Sequence, residues 1–530
     1  MASRSHAGFD VREERGPEES IVPVAMGRTA FVGRTLRGPV DRPVLLRSFA
    51  EFRQIFGGLW QPSTLSYAIE HFFDNGGREA LVVRVVNGAR AATLSLNAGA
   101  AVLELQARRP GTREYLRAAV DYDNVPAHSL TEFNLTVQRV RVQGTSQIED
   151  QEIYRRISVD PASERYVADR LRDSDLVRLA RAVPAQRPDR TLDPASGLAT
   201  AYVGSSVDGD DGAPLTDYDL IGSAAEQTGL FALDHADRFD LLYVPPPARA
   251  TDLGSSVLLV ASRYCKARRA MLIVDPPVDW QTADEALRGM RRWHFFHDHA
   301  LMYFPRILVH DKLRGHFESF APGGAVAGML ARSEEAGPEW SSARLDEALL
   351  RPGYRPGCQV PEDARQRLAG TGVNTLQAVR SATRARASAR TLAAGSATHA
   401  DWQSLGARRF ALFVLDSVVR GTRWTVMAPR DERSHERLVA QVRGFLEQLH
   451  RAGAFGARPM EDSFLVSAAG ACEFVLGFAA SPMGGLHCFR IEHSVSGCEV
   501  RPAAPPRPEP AELGAAEAEW VESLASELRG

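Results

Sequence analysis

Cysteine is scarce: the 530 residues include Cys265, Cys358, Cys472, Cys488 and Cys498, an odd and scattered set of 5 with no CxxC pair. That excludes a disulfide framework and a zinc ribbon. A surplus of charge of one sign is also missing, since the net charge is −3. No global basic field draws the chain to nucleic acid or to an anionic membrane. The stretch most like a membrane span, residues 464–483, is broken by Glu473 and by glycine and serine, and a central carboxylate is costly in a bilayer. It reads instead as two buried strands turning near Gly470. The first twenty residues contain no apolar h-region, so assembly in the cytoplasm without a signal peptide is expected. The common chemical motifs GxxxxGKS/T, GxGxxG after a strand, GxSxG and HExxH do not occur, and with them go the usual phosphate cradle, nucleophile elbow and zinc helix.

What is present is a long chain of ordinary globular composition, 44% hydrophobic, enough for a sizeable core and for about three or four structural units. Residues 1–27 are polar, with the alternating piece Phe9, Val11, Glu13, and suggest an extended arm. Thr29 to Gly33 then forms an apolar run closed by glycine, the pattern of a buried strand. Ser48 and Glu51 stand at capping-box spacing, Phe49, Phe52, Ile55 and Phe56 share a helical face, and Gly57 suits the left-handed end. A second helical stripe runs through Leu65, Ile69, Phe72 and Phe73, and Ala80 to Val86 is a further buried strand. Strand, helix, helix, strand opens an α/β layer over 28–90. Residues 91–200 alternate like half-exposed antiparallel strands and read as a β-rich insertion. The α/β pattern resumes over 201–400, with strands expected at 240–247, 269–277 and 302–309, so the sheet spans the insertion. Over 401–499 the clearest helix carries Leu438, Val439, Val442, Phe445, Leu446 and Leu449 behind Asp431 as N-cap, with Gly453 past its end. Residues 500–530 form a Pro-rich spacer and an acidic tail.

Two clusters invite a chemical reading. His294, His297, Asp298 and His299 lie within six positions and offer nitrogen and oxygen ligands, so a metal-dependent α/β hydrolase built on His294, His297 and Asp298 is the alternative function. Helical spacing swings Asp298 and His299 away from the two earlier imidazoles, and a helix end with Trp293, Phe295 and Phe296 packed inward is the ordinary explanation. Asp208, Asp210 and Asp211 resemble a calcium loop, but Gly212 occupies its fifth position. An Asp/Gly turn is the simpler account. The basic run Arg380 to Arg390 lacks interleaved aromatics and suits a solvated or subunit-facing segment.

Several blocks in order resemble the tail sheath proteins of contractile phage tails and phage-tail-like injection systems: TAFVG, GPVDRPVLLRSFAEFRQIFGG, LSYAIEHFFDNGGREALVVRVV, FVLDSVVRGTRWTVMAPRDE and VRGFLEQLHRAGAFGA. With shorter pieces between them they cover most of residues 8–495. The resemblance implies an α/β fold whose mixed-sheet core comes from the N- and C-terminal parts of the chain, with an inserted β-rich domain and extended terminal arms. It implies a structural subunit, not an enzyme, that polymerises helically around an inner tube and contracts, with no cofactor. Its partners would be further copies or paralogues of itself, the inner tube, a baseplate and a cap, without nucleic acid or membrane insertion. By position, residues 8–26 with Phe9, Val11 and Glu13 resemble one inter-subunit arm, and residues 487–495 with Phe489 and Ile491 resemble the other. On the clearest helix, Arg433, Arg437 and Arg443 are candidate tube-facing residues, although a solvated face is the commoner meaning of such a pattern.

Overall fold

The computed structural model describes residues 20–505 apart from 114, 144, 194, 198–199, 336–348, 378–388, 396–401, 469, 471 and 482–483. Its strands are, in order, β1 (Thr29–Gly33), β2 (Val44–Leu46), β3 (Ala80–Arg84), β4 (Ala91–Ala98), β5 (Ala101–Pro110), β6 (Leu116–Asp121) and β7 (Glu132–Gln143). There follow β8 (Thr145–Ser158), β9 (Val177–Leu179), β10 (Val203–Gly204), β11 (Leu241–Tyr243), β12 (Met271–Val274), β13 (Ala300–Phe304) and β14 (Ile307–Asp311). The last are β15 (His316–Phe320), β16 (Arg355–Pro356), β17 (Val373–Thr375), β18 (Phe464–Ala468), β19 (Glu473–Ala479), β20 (Leu486–Ser494) and β21 (Gly497–Ala503). They belong to two compact units, one of Met26–Gly337 with Ser342–Leu405, the other of Gly406 onward with the residues up to Ala25.

The first unit is organised by a sheet in the order β17-β13-β12-β11-β1-β3-β2. All neighbours run parallel except β2, which is antiparallel to β3. A parallel sheet is covered on both faces, which is why β1, β3, β12 and β13 are buried at every position and read as continuous apolar runs. The helices Phe49–Phe56 and Thr64–Asp74 follow β1 as expected. Ser48 accepts the N–H of Glu51 and Gly57 is left-handed, at φ 93°, although Glu51 turns its carboxylate to the N–H of Arg47, so the capping box is only half made. The helix Gly323–Glu335 lies close against Thr64–Asp74 because a Cβ on Gly324 or Gly328 would meet the backbone of Ala68 or Phe72.

Between β3 and β11 the insertion forms two antiparallel sheets, β4-β5-β9 and β10-β6-β7-β8, around one apolar core that includes Leu94, Leu105, Val120, Phe133 and Leu135. It is tied to the sheet by Arg84. That side chain is buried and donates to the carbonyls of Gly38 and of Pro110, the last residue of β5.

Among the described residues of 401–499, expected to complete the N-terminal core, none belongs to a strand of its sheet. Strands β11, β12, β13 and β17 fill that place, and the C-terminal residues build their own antiparallel sheet, β18-β19-β20-β21. The reason is physical: continuous apolar runs tell that a strand is buried, not which strand it pairs with. In this second unit the helices Leu405–Gly421 and Glu432–Arg451 accompany the sheet, with Phe410, Phe455 and Phe478 in edge-on ring contact. Asp431 caps the second helix by accepting the N–H of Ser434, and Gly453 follows its end in a left-handed conformation.

Candidate assembly surfaces

The strand expected to serve as the second arm sits inside its own chain's sheet. β20 is paired on both edges: Phe489 faces Leu476 of β19 and Pro502 of β21, and Ile491 faces Phe474 and Val500. Ile491 is wholly buried, and Phe489 stacks on Phe478 at 5.8 Å. Within one copy, then, both residues take part in their own chain's ladder. The sequence obscured this because Glu499, Arg501 and Pro502 give β21 the look of a spacer. The edges of the sheet are β18 and β21, and an edge strand presents unpaired backbone donors and acceptors to any incoming strand.

The root of the first arm is held by the same unit. Ile21 and Val24 are buried, the N–H of Val24 donates to Ser417 Oγ at 3.1 Å, and a Cβ on Gly421 would collide with Ile21. Within the expected arm 1–27, Ile21 and Val24 are therefore docked on this unit. Phe9, Val11 and Glu13 lie outside the described residues, as do 506–530 and most of the basic run 380–390.

On the helix Glu432–Arg451 the stripe of Leu438, Val442, Phe445, Leu446 and Leu449 is buried. Arg433, Arg437 and Arg443 are exposed on its other side. The Arg437 guanidinium lies over the Trp424 ring at 4.5 Å, which orients it and shields one of its faces.

The histidine cluster makes bonds of its own within the chain. It follows the helix Ala283–Met290 as an irregular segment rather than as the helix end expected. His297 Nδ1 accepts the N–H of His299, and His299 Nδ1 is bonded to the carbonyl of Ala270 at 2.9 Å. Among the described residues no group of three or more His, Cys, Asp or Glu could hold a metal ion. Trp293, Phe295 and Phe296 do pack against the core of the first unit. Asp210 and Asp211 also serve the chain's own backbone: Asp210 accepts the N–H of Gly212, and Asp211 accepts the N–H and hydroxyl of Thr112.

Two features of the first unit were not legible in the sequence. A cavity of about 600 Å3 opens beyond the ends of β11 and β12, walled by Leu258, Ile273, Trp293 and Phe295. At its floor Asp275 accepts from the Tyr243 hydroxyl at 2.6 Å and from the N–H of Gly323 at 2.9 Å. Burial pushes that carboxyl up to about 6. The second is a basic cleft between sheet and insertion. Both gather residues far apart in the chain, so no local spacing marks them.

Compared with solved structures, the chain is similar to a sheath tail protein from Listeria innocua, at 12% identity, over 92% of this chain and 96% of that one, with a TM-score of 0.58. It is similar also to a sheath tail protein from Desulfitobacterium hafniense, at 12% identity, over 92% of this chain and all of the other, with a TM-score of 0.51. This is the fold of sheath tail proteins. The sheath fold thus extends over both units and the insertion, since either one alone is far short of 92% of the chain. No family model matches the sequence, and no curated protein matches it. Among the described residues no helix is long and apolar enough to cross a membrane.

Proposed function

We propose that the protein is the structural subunit of a contractile sheath, polymerising helically around an inner tube and shortening to drive the tube through a target envelope. The observation that carries this is the correspondence of the fold, over nearly its full length, with sheath tail proteins. The ordered sequence blocks quoted above point the same way, and the contractile action and the tube, baseplate and cap partners come from that resemblance. The role is structural rather than enzymatic, and the cysteines, all free thiols, suit assembly in a reducing cytoplasm.

Subunits join through the N-terminal segment ahead of Ile21. A lone strand such as Phe9–Glu13 has no local ladder partner, and pairing with the exposed edge of β18 or β21 in another copy satisfies its backbone. Heterologous contacts of this kind that do not close give an open helix. Negative-stain microscopy of the chain expressed with its tube partner tests the proposal: striated hollow cylinders are expected, and only dispersed particles would refute it. Val11→Pro, which deletes a ladder donor, is expected to abolish the cylinders while leaving the thermal melt of the subunit unchanged.

The exposed Arg433, Arg437 and Arg443 are proposed to meet an acidic tube surface by charge complementarity. Arg437→Glu with Arg443→Glu is expected to reduce tube co-sedimentation about tenfold at low salt and less at high salt. Equal recruitment at both salt concentrations would place the tube contact elsewhere.

A further inference from the structure

Where the insertion meets the sheet of the first unit there is a cleft of about 500 Å3, lined by Arg37, Arg53, Arg113 and Arg141 and flanked by Trp60 and Tyr115. The carboxylate among its described lining residues, Glu149, is already shared, 2.5 Å from Arg37 Nη1 and 2.6 Å from Arg141 Nη2. Arg53 and Arg113 have no carboxylate partner among the described residues. The Arg37 side chain is nine-tenths buried, and its Nε finds no acceptor among them. Among the described residues that line it, cations outnumber carboxylates, in a chain whose net charge is −3.

We propose that this cleft receives the acidic C-terminal residues of a second copy of the chain, an inference that rests on the polymerising role proposed above. Residues 509–527 contain Glu509, Glu512, Glu517, Glu519, Glu522 and Glu527, no basic residue, and Trp520. A homopolymer must match every charged patch with another part of the same sequence, and complementary patches set partner orientation in a heterologous contact. Arginine suits the task because its planar fork takes a carboxylate in two bonds and its face stacks on aromatic rings. Arg34 already lies over Trp60 at 4.9 Å, so Trp60 and Tyr115 offer Trp520 a platform between cations. A nucleic acid fits less well, because Glu149 stands in the middle of the cationic wall and would repel a continuous line of phosphates.

The test uses the full chain and a fluorescein-labelled peptide of residues 506–530, followed by fluorescence anisotropy at about 50 and about 300 mM salt. Saturable binding is expected, weaker by about tenfold or more in the Arg53→Glu/Arg113→Glu chain and at the higher salt, and lost when the six glutamates of the peptide are glutamine. Both arginines are exposed, so an unchanged circular-dichroism melt shows that the variant is folded. Equal binding by the variant, or displacement of the peptide by a tighter-binding single-stranded DNA oligonucleotide, overturns the proposal. Sheath formation is scored separately by microscopy. Normal cylinders without peptide binding remove the cleft contact alone, and peptide binding without cylinders under any condition removes the sheath alone.

Discussion

Replacing Arg84 by alanine is expected to destabilise the first unit by about 4 kcal/mol, read as a shift of the urea midpoint at unchanged slope. Arg84 is 1% exposed, and its guanidinium donates to the carbonyls of Gly38 at 2.7 Å and of Pro110 at 3.0 Å. Alanine removes two charge-assisted bonds, leaves the buried carbonyl of Gly38 and the partly buried one of Pro110 without that donor, and opens a cavity the size of the lost side chain. Arg84→Met refills most of the volume without restoring the donors, and so is expected to recover about half of the loss. A change below about 1 kcal/mol for the alanine variant would show that the bridge to Pro110 is not what holds the insertion to the sheet. The consequence reaches assembly. A loosened insertion is expected to disturb the basic cleft, whose lining joins Arg37 and Arg53 to Arg113 and Arg141 of the insertion.

Acid is expected to destabilise the protein through His71 by about 2 to 3 kcal/mol between pH 6.5 and 4.5. His71 is buried on the helix Thr64–Asp74, with its ring edge-on to Phe320 at 5.0 Å and to Tyr354 at 5.3 Å. Burial, helped by the nearby charges of Arg249 and Lys312, lowers its pKa to about 3. The folded imidazole therefore stays neutral where the unfolded one takes up a proton. The stability gained is present in full above pH 6.5 and is lost progressively as pH falls toward 3, at about 1.4 kcal/mol per unit. The His71→Phe chain has no such proton to take up, so the difference between the two denaturation curves should change by that amount across the interval. Taking the difference cancels opposing groups such as Asp275, whose raised carboxyl loses stability as pH rises toward 6. A constant difference between the two chains would mean that His71 is solvated in the folded protein.

Much of the fold can be read from local chemistry. The runs TAFVG and ALVVR announce buried strands because both faces of a parallel sheet are covered, and the capped helices at Ser48 and Asp431 announce themselves through side chains that bond the nearest backbone. The hairpin about Gly470 is visible because short apolar runs stand on either side of a glycine turn, β18 pairing with β19 across it. Pairing is less legible. β1 meets β11 across more than 200 residues, and nothing within either run specifies the other. β21 is hard to read because charged and proline residues on an edge strand look like those of a linker, yet it pairs with β20 along Cys488–Ser494. The histidines illustrate the converse: close in sequence, they turn to separate backbone partners.

The amino-acid sequence alone determined the local elements, the β-rich character of residues 91–200, the even charge balance and the ordered blocks that resemble sheath proteins, because each depends on neighbours a few positions apart. Only the tertiary structure decided which strands share a sheet, that β20 is closed on both edges, and that arginines 37, 53, 113 and 141 line one cleft. Those facts depend on which distant segments bury one another's apolar faces, and an apolar face carries no address.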